Sequence, residues 1–276
     1  QKIVLRARLL DMLIADWDRH QDQWRFGVRK GADFNHYYAI PRDRDQAYFQ
    51  SKGLLVKIAQ LVALKHMVGF TESTRRVKSL NAKSWNFDRL FLNGLGKRDW
   101  EQTITQFQSQ LSDDVIKNAV RELPPEIYRI SGAELENKLR ERRTGMLKDV
   151  IGYYEFLAEE VTVVGSDEGE RFHITGNRDS LTLHTYTLGK DNKLLYSRTF
   201  FPGETDVIHL VGLGGNDEFV VDAGANARIR LTMDGGKGNN VFQINSNIKH
   251  KLYHSDLDAK SYEVVVKEAL KIKEDE

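Results

Sequence analysis

The chain has 276 residues and nearly balanced charge, with 41 Lys and Arg against 40 Asp and Glu. A composition that is 40% hydrophobic and 29% charged is typical of a folded globular protein and excludes a disordered or fibrous chain. The small net charge argues against a dedicated nucleic-acid-binding protein. The absence of cysteine excludes disulfides, thiolate nucleophiles and cysteine-ligated metal sites.

The charge is distributed unevenly along the chain. Residues 1–150 carry 27 basic and 19 acidic side chains, whereas residues 151–276 carry 14 and 21. The length suits one large or two modest domains, and the opposite charges of the halves favour two. No apolar run reaches the roughly 18 residues of a membrane helix, so we predict no transmembrane segment. The chain starts without Met inside an apolar run, which we interpret as part of a longer protein.

The first fifty residues predict a helix, a polar loop, a hairpin and an acidic loop. Apolar residues from Ile3 to Trp17 recur mainly at helical spacing. The runs 23–29 and 37–40 alternate like strands, and residues 30–33 between them have turn chemistry.

The region from Ser51 to Val161 predicts mainly helices. Leu54, Ile58, Leu61 and Leu64 form one apolar stripe; Trp100, Ile104, Phe107 and Leu111 form another; Asp113 to Leu123 is a shorter helix. Ser131 and Glu134 have the spacing of a capping box, which predicts the start of a long helix. Its stripe comprises Leu135, Leu139, Met146, Val150, Tyr153 and Leu157.

After Val161 the period changes to two, and seven short strand-like runs are separated by Gly, Asn and Asp. The predicted strands are 161–164, 172–175, 181–186, 207–211, 219–221, 229–233 and 241–244. The segments that start at Ile208 and Ile229 resemble each other, with an offset of 21 residues at the start and 23 at the end. Such a repeat favours stacked coils of a β-solenoid or a small sandwich. We therefore predict an α+β protein, with a mostly helical domain over residues 1–160 and an all-β domain, solenoid-like or a sandwich, over 161–276.

The densest polar cluster follows the first helix and includes Asp16, Asp18 and Asp22. The predicted hairpin ends in a second acidic loop with Asp43 and Asp45. Phosphoryl transfer needs one carboxylate that accepts the proton of the attacking hydroxyl and another that holds Mg²⁺. The alternative is that the first loop only caps a helix end and the second is a solvated turn.

At these residues the sequence resembles the catalytic and metal-binding loops of atypical kinases. The resemblance is closest to the spore-coat CotH-type kinases and weaker to HipA-like kinases, secretory-pathway casein kinases and phosphoinositide kinases with an Asp-Arg-His loop. It rests on Asp11-x-Leu13-Ile14-x-x-Trp17-Asp18-Arg19-His20-x-x-Gln23-Trp24 and on Tyr38-x-Ile40-Pro41-x-Asp43-x-Asp45-x-Ala47-Tyr48. The resemblance implies a kinase C-lobe-like domain with Asp18 as catalytic base, His20 as a structural member of the loop, and Asp43 or Asp45 as Mg²⁺ ligand.

Two departures from the family pattern qualify this expectation. These kinases usually have Asn five residues after the base as a further metal ligand, and here that position is Gln23, which keeps a carbonyl oxygen on a longer arm. A kinase also needs an N-lobe with a Gly-rich loop and a phosphate-binding Lys, which would precede Gln1. We therefore expect ATP to bind only in a longer protein, or with another chain that completes the fold.

A second candidate site lies in the β-rich half. Gly212 to Phe219 and Gly235 to Phe242 resemble the Gly-Gly-x-Gly-x-Asp calcium repeats of RTX β-rolls, with Asp217 and Asn240 at the acidic position. In such repeats, carboxylate oxygens of adjacent turns share Ca²⁺. The alternative is structural corners, where Gly provides positive φ and Asn or Asp caps its own turn.

Both halves together are similar to a region of large envelope proteins of the Bacteroidetes, which can carry a phosphoesterase-like domain and an outer-membrane barrel. This resemblance implies an extracytoplasmic location, in the periplasm or at the cell surface, and envelope proteins as partners. The expected function is the catalytic-lobe region of an atypical phosphotransferase. The alternative is a non-catalytic envelope interaction module whose β domain binds Ca²⁺.

Overall fold

The protein has an α+β fold. The computed structural model describes residues 1–31, 35–50, 53, 66–189 and 191–256. The chain divides into two compact units, Gln1–Leu157 and Ala158–Glu276. The sequence pattern predicts the boundary between residues 160 and 161, three residues further along the chain.

Unit 1 is mainly helical. The described helices are α1 (Lys2–Ile14), α2 (Val77–Leu80), α3 (Trp85–Phe91), α4 (Lys97–Gln110), α5 (Asp113–Arg121), α6 (Pro125–Ile127) and α7 (Ala133–Ala158). Short 3₁₀ turns cover Gln21–Gln23 and Ala82–Ser84. Strands β1 (Trp24–Lys30) and β2 (Asn35–Pro41) form an antiparallel hairpin, in which Trp24 is opposite Pro41. The predicted stripe of Leu54, Ile58, Leu61 and Leu64 lies outside the described residues.

The core of unit 1 joins α1, α4 and α7. Helical spacing turns one face of each helix inward, and these faces bury aliphatic and aromatic side chains. Trp100 of α4 is 1% exposed and lies against Tyr153 and Tyr154 of α7, with ring centroids 6.3 and 5.7 Å away. The predicted stripes are confirmed for these buried residues: Leu5, Leu9, Leu13, Trp100, Ile104, Phe107, Leu139, Met146, Val150, Tyr153 and Leu157.

The predicted capping box at Ser131 is wrong. The backbone is already helical before this residue, because a π-helical segment, Tyr128–Gly132, connects α6 to α7. The Ser131 hydroxyl donates to the carbonyl of Ile127, four residues earlier, instead of accepting from a backbone N–H. Helix formation therefore starts at Pro125, where a proline at the first helical position needs no hydrogen bond for its nitrogen.

Within the described residues, unit 2 has nine strands in two sheets. They are β3 (Glu160–Val164), β4 (Glu170–Gly176), β5 (Leu181–Thr187), β6 (Leu194–Phe200), β7 (Val207–Val211), β8 (Glu218–Val221), β9 (Arg230–Asp234), β10 (Val241–Ile244) and β11 (His250–Tyr253). The order in one sheet is β10-β8-β4-β5-β6 and in the other β11-β9-β7-β3. Pairing is parallel except at β4–β5 and β5–β6. Apart from the β4–β5–β6 meander, successive strands therefore alternate between the two sheets.

The register corrects the repeat offset read from the sequence. Ile208 pairs with Leu231, not with Ile229, and Phe219 pairs with Phe242. Strands β7 and β8 belong to one coil, and β9 and β10 belong to the next. Contacts between these two coils join residues that are 23 apart in the sequence at both places. The first coil consists of β3 and β4. Its contacts with the β7–β8 coil join residues that are 47 apart in the sequence, because the β5–β6 hairpin is inserted between these two coils.

A column of stacked phenyl rings runs through the core of unit 2. Phe219 is fully buried between Phe172 and Phe242, with ring centroids 4.8 Å from each neighbour and nearly parallel planes. The phenyl rings come from β4, β8 and β10 of one sheet. They share a core with side chains of the other sheet, including Val161, Ile208 and Leu231. Burial of each inward side chain of the alternating pattern stabilises the packing of one sheet on the other.

We expect Phe219→Leu to destabilise the protein by about 1–2 kcal/mol, because it removes both stacking contacts and leaves a small cavity. Urea unfolding followed by circular dichroism measures the change. Phe201→Leu is the matched control, since Phe201 is 48% exposed and should tolerate the same exchange. Equal stability of the two variants would show that the column adds nothing beyond what an exposed phenyl ring provides.

Candidate functional site

The two acidic loops of unit 1 meet at the C-terminal end of α1. The helix ends where Ala15 adopts a left-handed conformation, with φ of 55°. The amide of Asp16 then donates to the carbonyl of Asp11, and the amide of Tyr48 donates to the carbonyl of Ile14 at 2.9 Å. The second bond ties the loop after β2 to the end of the helix that carries the first loop.

Arg19 connects the two loops from within. Its side chain is fully buried, and Nη1 donates to Gln23 Oε1 at 2.8 Å and to the backbone carbonyls of Arg42 and Asp43. The amide of Arg42 also donates to the carbonyl of Gln23 at 2.8 Å. One guanidinium group therefore fixes the Asp16–Gln23 loop against the loop that starts at Pro41.

Asp11 is the electrostatic centre of this arrangement. Its carboxylate is buried and accepts from Arg8 at 2.9 Å, from Arg19 at 3.2 Å and from Arg44 at 2.9 Å. Burial by itself lowers the pKa of Arg8, but the carboxylates of Asp88 and Asp11 raise it above its ordinary value. Burial lowers the pKa of Arg19, and the charge of Asp11 opposes that shift. The arginines are thus held as cations by the carboxylates that position the loops.

Asp16 is a buried carboxylate at the start of the first loop. Oδ1 accepts from the amide of Asp18 at 3.3 Å, whereas Oδ2 has no hydrogen-bond partner among the described residues and lies 3.8 Å from Arg19 Nε. Burial, and next the charge of Asp11, raises the pKa of Asp16 to about 6. Asp16 therefore shapes the turn that leads to Asp18, as the helix-cap alternative expects for this residue.

Asp18, the predicted base, reaches the surface of the loop. Its side chain is 22% exposed, and Oδ1 lies 2.6 Å from Nζ of Lys83, which comes from the 3₁₀ turn Ala82–Ser84. His20 is half-buried, with Nδ1 3.7 Å from a carboxylate oxygen of Asp22. One oxygen of Asp18 is thus held by a cation, and the partial exposure of the carboxylate allows a substrate to contact it.

The predicted magnesium ligands lie in both loops. Gln23 is buried and its Oε1 accepts from Arg19, so its carbonyl oxygen contributes to holding the loops together. Asp43 and Asp45 are exposed; Oδ1 of Asp43 accepts from the amide of Asp45 at 3.1 Å, and Asp43 has a φ of 54°. Within the described part of the chain, no three His, Asp or Glu side chains are placed to hold one metal ion. Mg²⁺ commonly takes only one or two carboxylates together with substrate oxygens and water, so Asp43 and Asp45 fit that donor set.

The sequence identifies the two loops but not the ion pairs that surround them. Asp11 lies in the motif without an assigned role, and Arg8 precedes it by three residues, in an otherwise apolar helical pattern. Lys83 is 65 residues from Asp18 and belongs to no motif, so no signal in the sequence could pair them.

In unit 2, Asp217 and Asn240 occupy equivalent corners of successive coils. Oδ1 of Asp217 accepts from the amide of Glu170 at 2.8 Å, and Oδ1 of Asn240 accepts from the amide of Asp217 at 2.8 Å. Gly215 and Gly238 have φ of 87° and 121°, and a Cβ on Gly238 would lie 1.6 Å from the carbonyl oxygen of Gly215. The side chains of Asp217 and Asn240 each bond one corner to the corner of the preceding coil. Only glycine fits at position 238, where the two corners are in close contact.

These bonds give the two residues a structural role and leave the calcium assignment a prediction. One oxygen of each side chain is committed to a backbone amide, while Oδ2 of Asp217 has no hydrogen-bond partner within the described part of the chain. Burial raises the pKa of Asp217 to about 7; the bond from the Glu170 amide opposes the shift and the charge of Glu170 adds to it. Burial also raises the pKa of Glu170.

We expect Asp217→Asn to stabilise the protein at pH 8 by up to about 4 kcal/mol, since each unit of pKa shift corresponds to about 1.4 kcal/mol. Asp217 is fully buried, and its pKa rises from the ordinary value of 3.8 to about 7. The folded state binds the extra proton, so the stabilising contribution is complete below pH 3.8 and is lost as the pH rises through 7. Asn keeps the Oδ1 acceptor without the charge, as Asn240 does in the next coil.

Urea unfolding between about pH 4 and pH 8 measures this difference, which should shrink toward the acidic end as the wild-type carboxyl becomes protonated. Asp179→Asn makes the same charge change at an exposed loop and should leave the profile unchanged. A variant less stable than wild type at the alkaline end contradicts the expectation, since it would mean that the charged carboxylate stabilises the corner.

The chain matches no protein-family model, and comparisons with curated proteins and with solved structures find no match either. Among the described residues, no helix combines the length and the apolar character needed to cross a membrane.

Proposed function

We propose that unit 1 is the catalytic-loop region of an atypical, kinase-like phosphotransferase. The observation that carries the proposal is Arg19, which bonds to Gln23 in one acidic loop and to the carbonyls of Arg42 and Asp43 in the other. Phosphoryl transfer is catalysed mainly by positioning and by electrostatic stabilisation, and it requires a base and a metal ligand held close together. Two loops that are joined by one buried guanidinium are suited to such positioning, and this supports the proposal.

Each residue has a role in this proposal. Asp18 accepts the proton of the attacking hydroxyl, and its partial exposure allows that hydroxyl to approach. Asp43 or Asp45 holds Mg²⁺, which, when bound, neutralises charge on the phosphates. Gln23 supports the loops through Arg19, and His20 is a structural member of the first loop. The similarity of the motif to CotH-type and related atypical kinases supports these roles.

The region would work within a larger protein. A nucleotide-binding N-lobe, or another chain that completes the kinase-like fold, would supply ATP. We further propose an extracytoplasmic location, in the periplasm or at the cell surface, with envelope proteins as partners, on the basis of the similarity to Bacteroidetes envelope proteins.

A second candidate function, a non-catalytic envelope interaction module, is favoured by unit 2. We propose that this unit is solenoid-like, because its strands alternate between two largely parallel sheets and its later coils repeat every 23 residues. Within the described residues, β10 and β11 lie at sheet edges, and free strand edges can pair with partner strands. Ca²⁺ at the Asp217 and Asn240 corners would belong to this alternative.

The test is transfer of labelled phosphate from ATP by the full-length protein. We expect Mg²⁺-dependent incorporation into the protein itself or into a hydroxyl-bearing protein substrate, and its loss on chelation of Mg²⁺. If ATP is bound but no phosphate is transferred to any acceptor offered, including the envelope fraction of the source cell, the catalytic proposal fails and the interaction module remains.

A further inference from the structure

Lys83 brings a positive charge directly to the candidate catalytic carboxylate. Its Nζ lies 2.6 Å from Oδ1 of Asp18 and 4.9 Å from the centre of the Trp17 ring. The turn that carries it is fixed to the same loop, because the hydroxyl of Ser84 donates to the carbonyl of Arg19. Lys83 is therefore held at Asp18 by its own contacts and by those of its neighbour.

The ammonium group remains accessible. Lys83 is 36% exposed and Asp18 is 22% exposed. Of the three N–H donors of Lys83, one is directed at Asp18, and the Trp17 ring covers part of the remaining surface. Trp17 is itself fixed by Phe49 and His66, with ring centroids 6.1 and 5.3 Å away. A held cation with accessible donors is suited to binding an anion.

Three other cations near the site are committed elsewhere. Arg8 and Arg19 are fully buried, and Arg44 donates to Asp11 at 2.9 Å. Among the described residues, Lys83 is the cation that forms an ion pair with Asp18. An ion pair this exposed contributes little to stability, typically below about 1 kcal/mol. Stability therefore gives this pair little role, which leaves the accessible ammonium group of Lys83 available to bind an anion.

The position of Lys83 defines what it can reach. A hydroxyl that gives its proton to Asp18 has its oxygen about 3 Å from the carboxylate. The phosphorus under attack lies roughly 3–3.5 Å from that hydroxyl oxygen, on the side away from Asp18. During transfer, negative charge is spread over the three equatorial phosphoryl oxygens. A lysine that shares the carboxylate with the hydroxyl is therefore close enough to contact one of these oxygens.

We propose that Lys83 is the residue that binds the transferring phosphoryl group at the Asp18 site, so that its ligands are phosphorylated compounds. The role in transfer rests on the proposed phosphotransferase function. The binding of a phosphate anion beside Trp17 does not depend on catalysis and can be measured by itself.

The test is titration calorimetry of the full-length protein with inorganic pyrophosphate, with Mg²⁺ present. We expect Lys83→Met to weaken binding at least tenfold and Lys83→Arg to restore most of it, since a cation remains. Lys97→Met is the matched control: Lys97 is also 36% exposed and pairs with a carboxylate, Glu155, at 3.0 Å. It should bind like wild type. Thermal melts should be the same for all of these proteins, because both pairs are exposed.

Asp18→Asn separates the inference from the proposed function. It should lower the rate of transfer by about 10²–10⁴-fold but bind pyrophosphate as well as wild type or better, because a negative charge beside the anion is removed. If wild type binds pyrophosphate through Lys83 but transfers nothing, the phosphotransferase proposal fails and the anion site stands. If Lys83→Met binds as tightly as wild type, or wild type binds no pyrophosphate, the inference about Lys83 is overturned.

Discussion

Asp18→Asn should lower the rate of phosphotransfer by about 10²–10⁴-fold in the full-length protein, because general base catalysis contributes that much. Asn cannot accept the proton of the attacking hydroxyl, but it keeps the size of the side chain and an oxygen that can accept from Lys83. Binding of ATP and Mg²⁺ should change little, since the proposed ligands are Asp43 or Asp45. The loss should therefore appear in kcat and not in KM.

Initial rates of labelled phosphate transfer, measured over a range of ATP concentrations, test this expectation. Asp22→Asn is the matched control, because Asp22 lies in the same loop, is 82% exposed and approaches His20 only at 3.7 Å. It should transfer at the wild-type rate. An Asp18→Asn variant as fast as Asp22→Asn would reject Asp18 as the base.

Strands and loops that depend only on residues close in the sequence could be predicted from it. Period-two patterns identify most strands of unit 2, and Val207–Val211 and Val241–Ile244 have the predicted bounds. The two acidic loops are also found, since each is a short local motif. Local patterns carry this information because burial on one face dictates which residues alternate.

Irregular strands and the register between strands depend on tertiary contacts and could not be predicted in this way. Strands β6 and β11 are missed because Leu194–Phe200 and His250–Tyr253 mix polar and apolar residues without alternation, and most of these residues are exposed. The repeat offset at Ile208 is wrong by two residues because similar apolar residues occur at both Ile229 and Leu231. Only the hydrogen-bond register separates these alternatives.

The same limit applies to the site. Arg19 is visible as a motif residue, but its bonds to the carbonyls of Arg42 and Asp43 depend on how the hairpin returns the chain. The approach of Lys83 to Asp18 depends on how the chain between them folds. The motif thus identifies the residues of the two loops, while long-range hydrogen bonds and ion pairs decide where those residues lie.

Arg8→Met should destabilise the protein by about 3–5 kcal/mol, because it leaves buried carboxylates without their counter-ion. Arg8 is fully buried; Nε donates to Oδ1 of Asp88 at 2.8 Å, Nη1 to Asp11 at 2.9 Å and Nη2 to Oδ1 of Asn81 at 2.5 Å. Met fills much of the volume of Arg but provides no donor. The penalty therefore comes from desolvated charge and unpaired acceptors more than from a cavity.

Urea unfolding of the full chain measures this loss, and two further variants identify its cause. Lys2→Met removes a cation from the same helix, but its pair with Asp99 is 56% and 36% exposed, so the cost should stay below about 1 kcal/mol. Arg8→Met combined with Asp88→Asn should recover part of the loss, because the buried charge of Asp88 is then removed along with its partner. If Arg8→Met costs no more than Lys2→Met, the buried network stabilises the fold no more than an exposed ion pair does. If the double variant recovers nothing, lost packing and not unpaired charge is the cause.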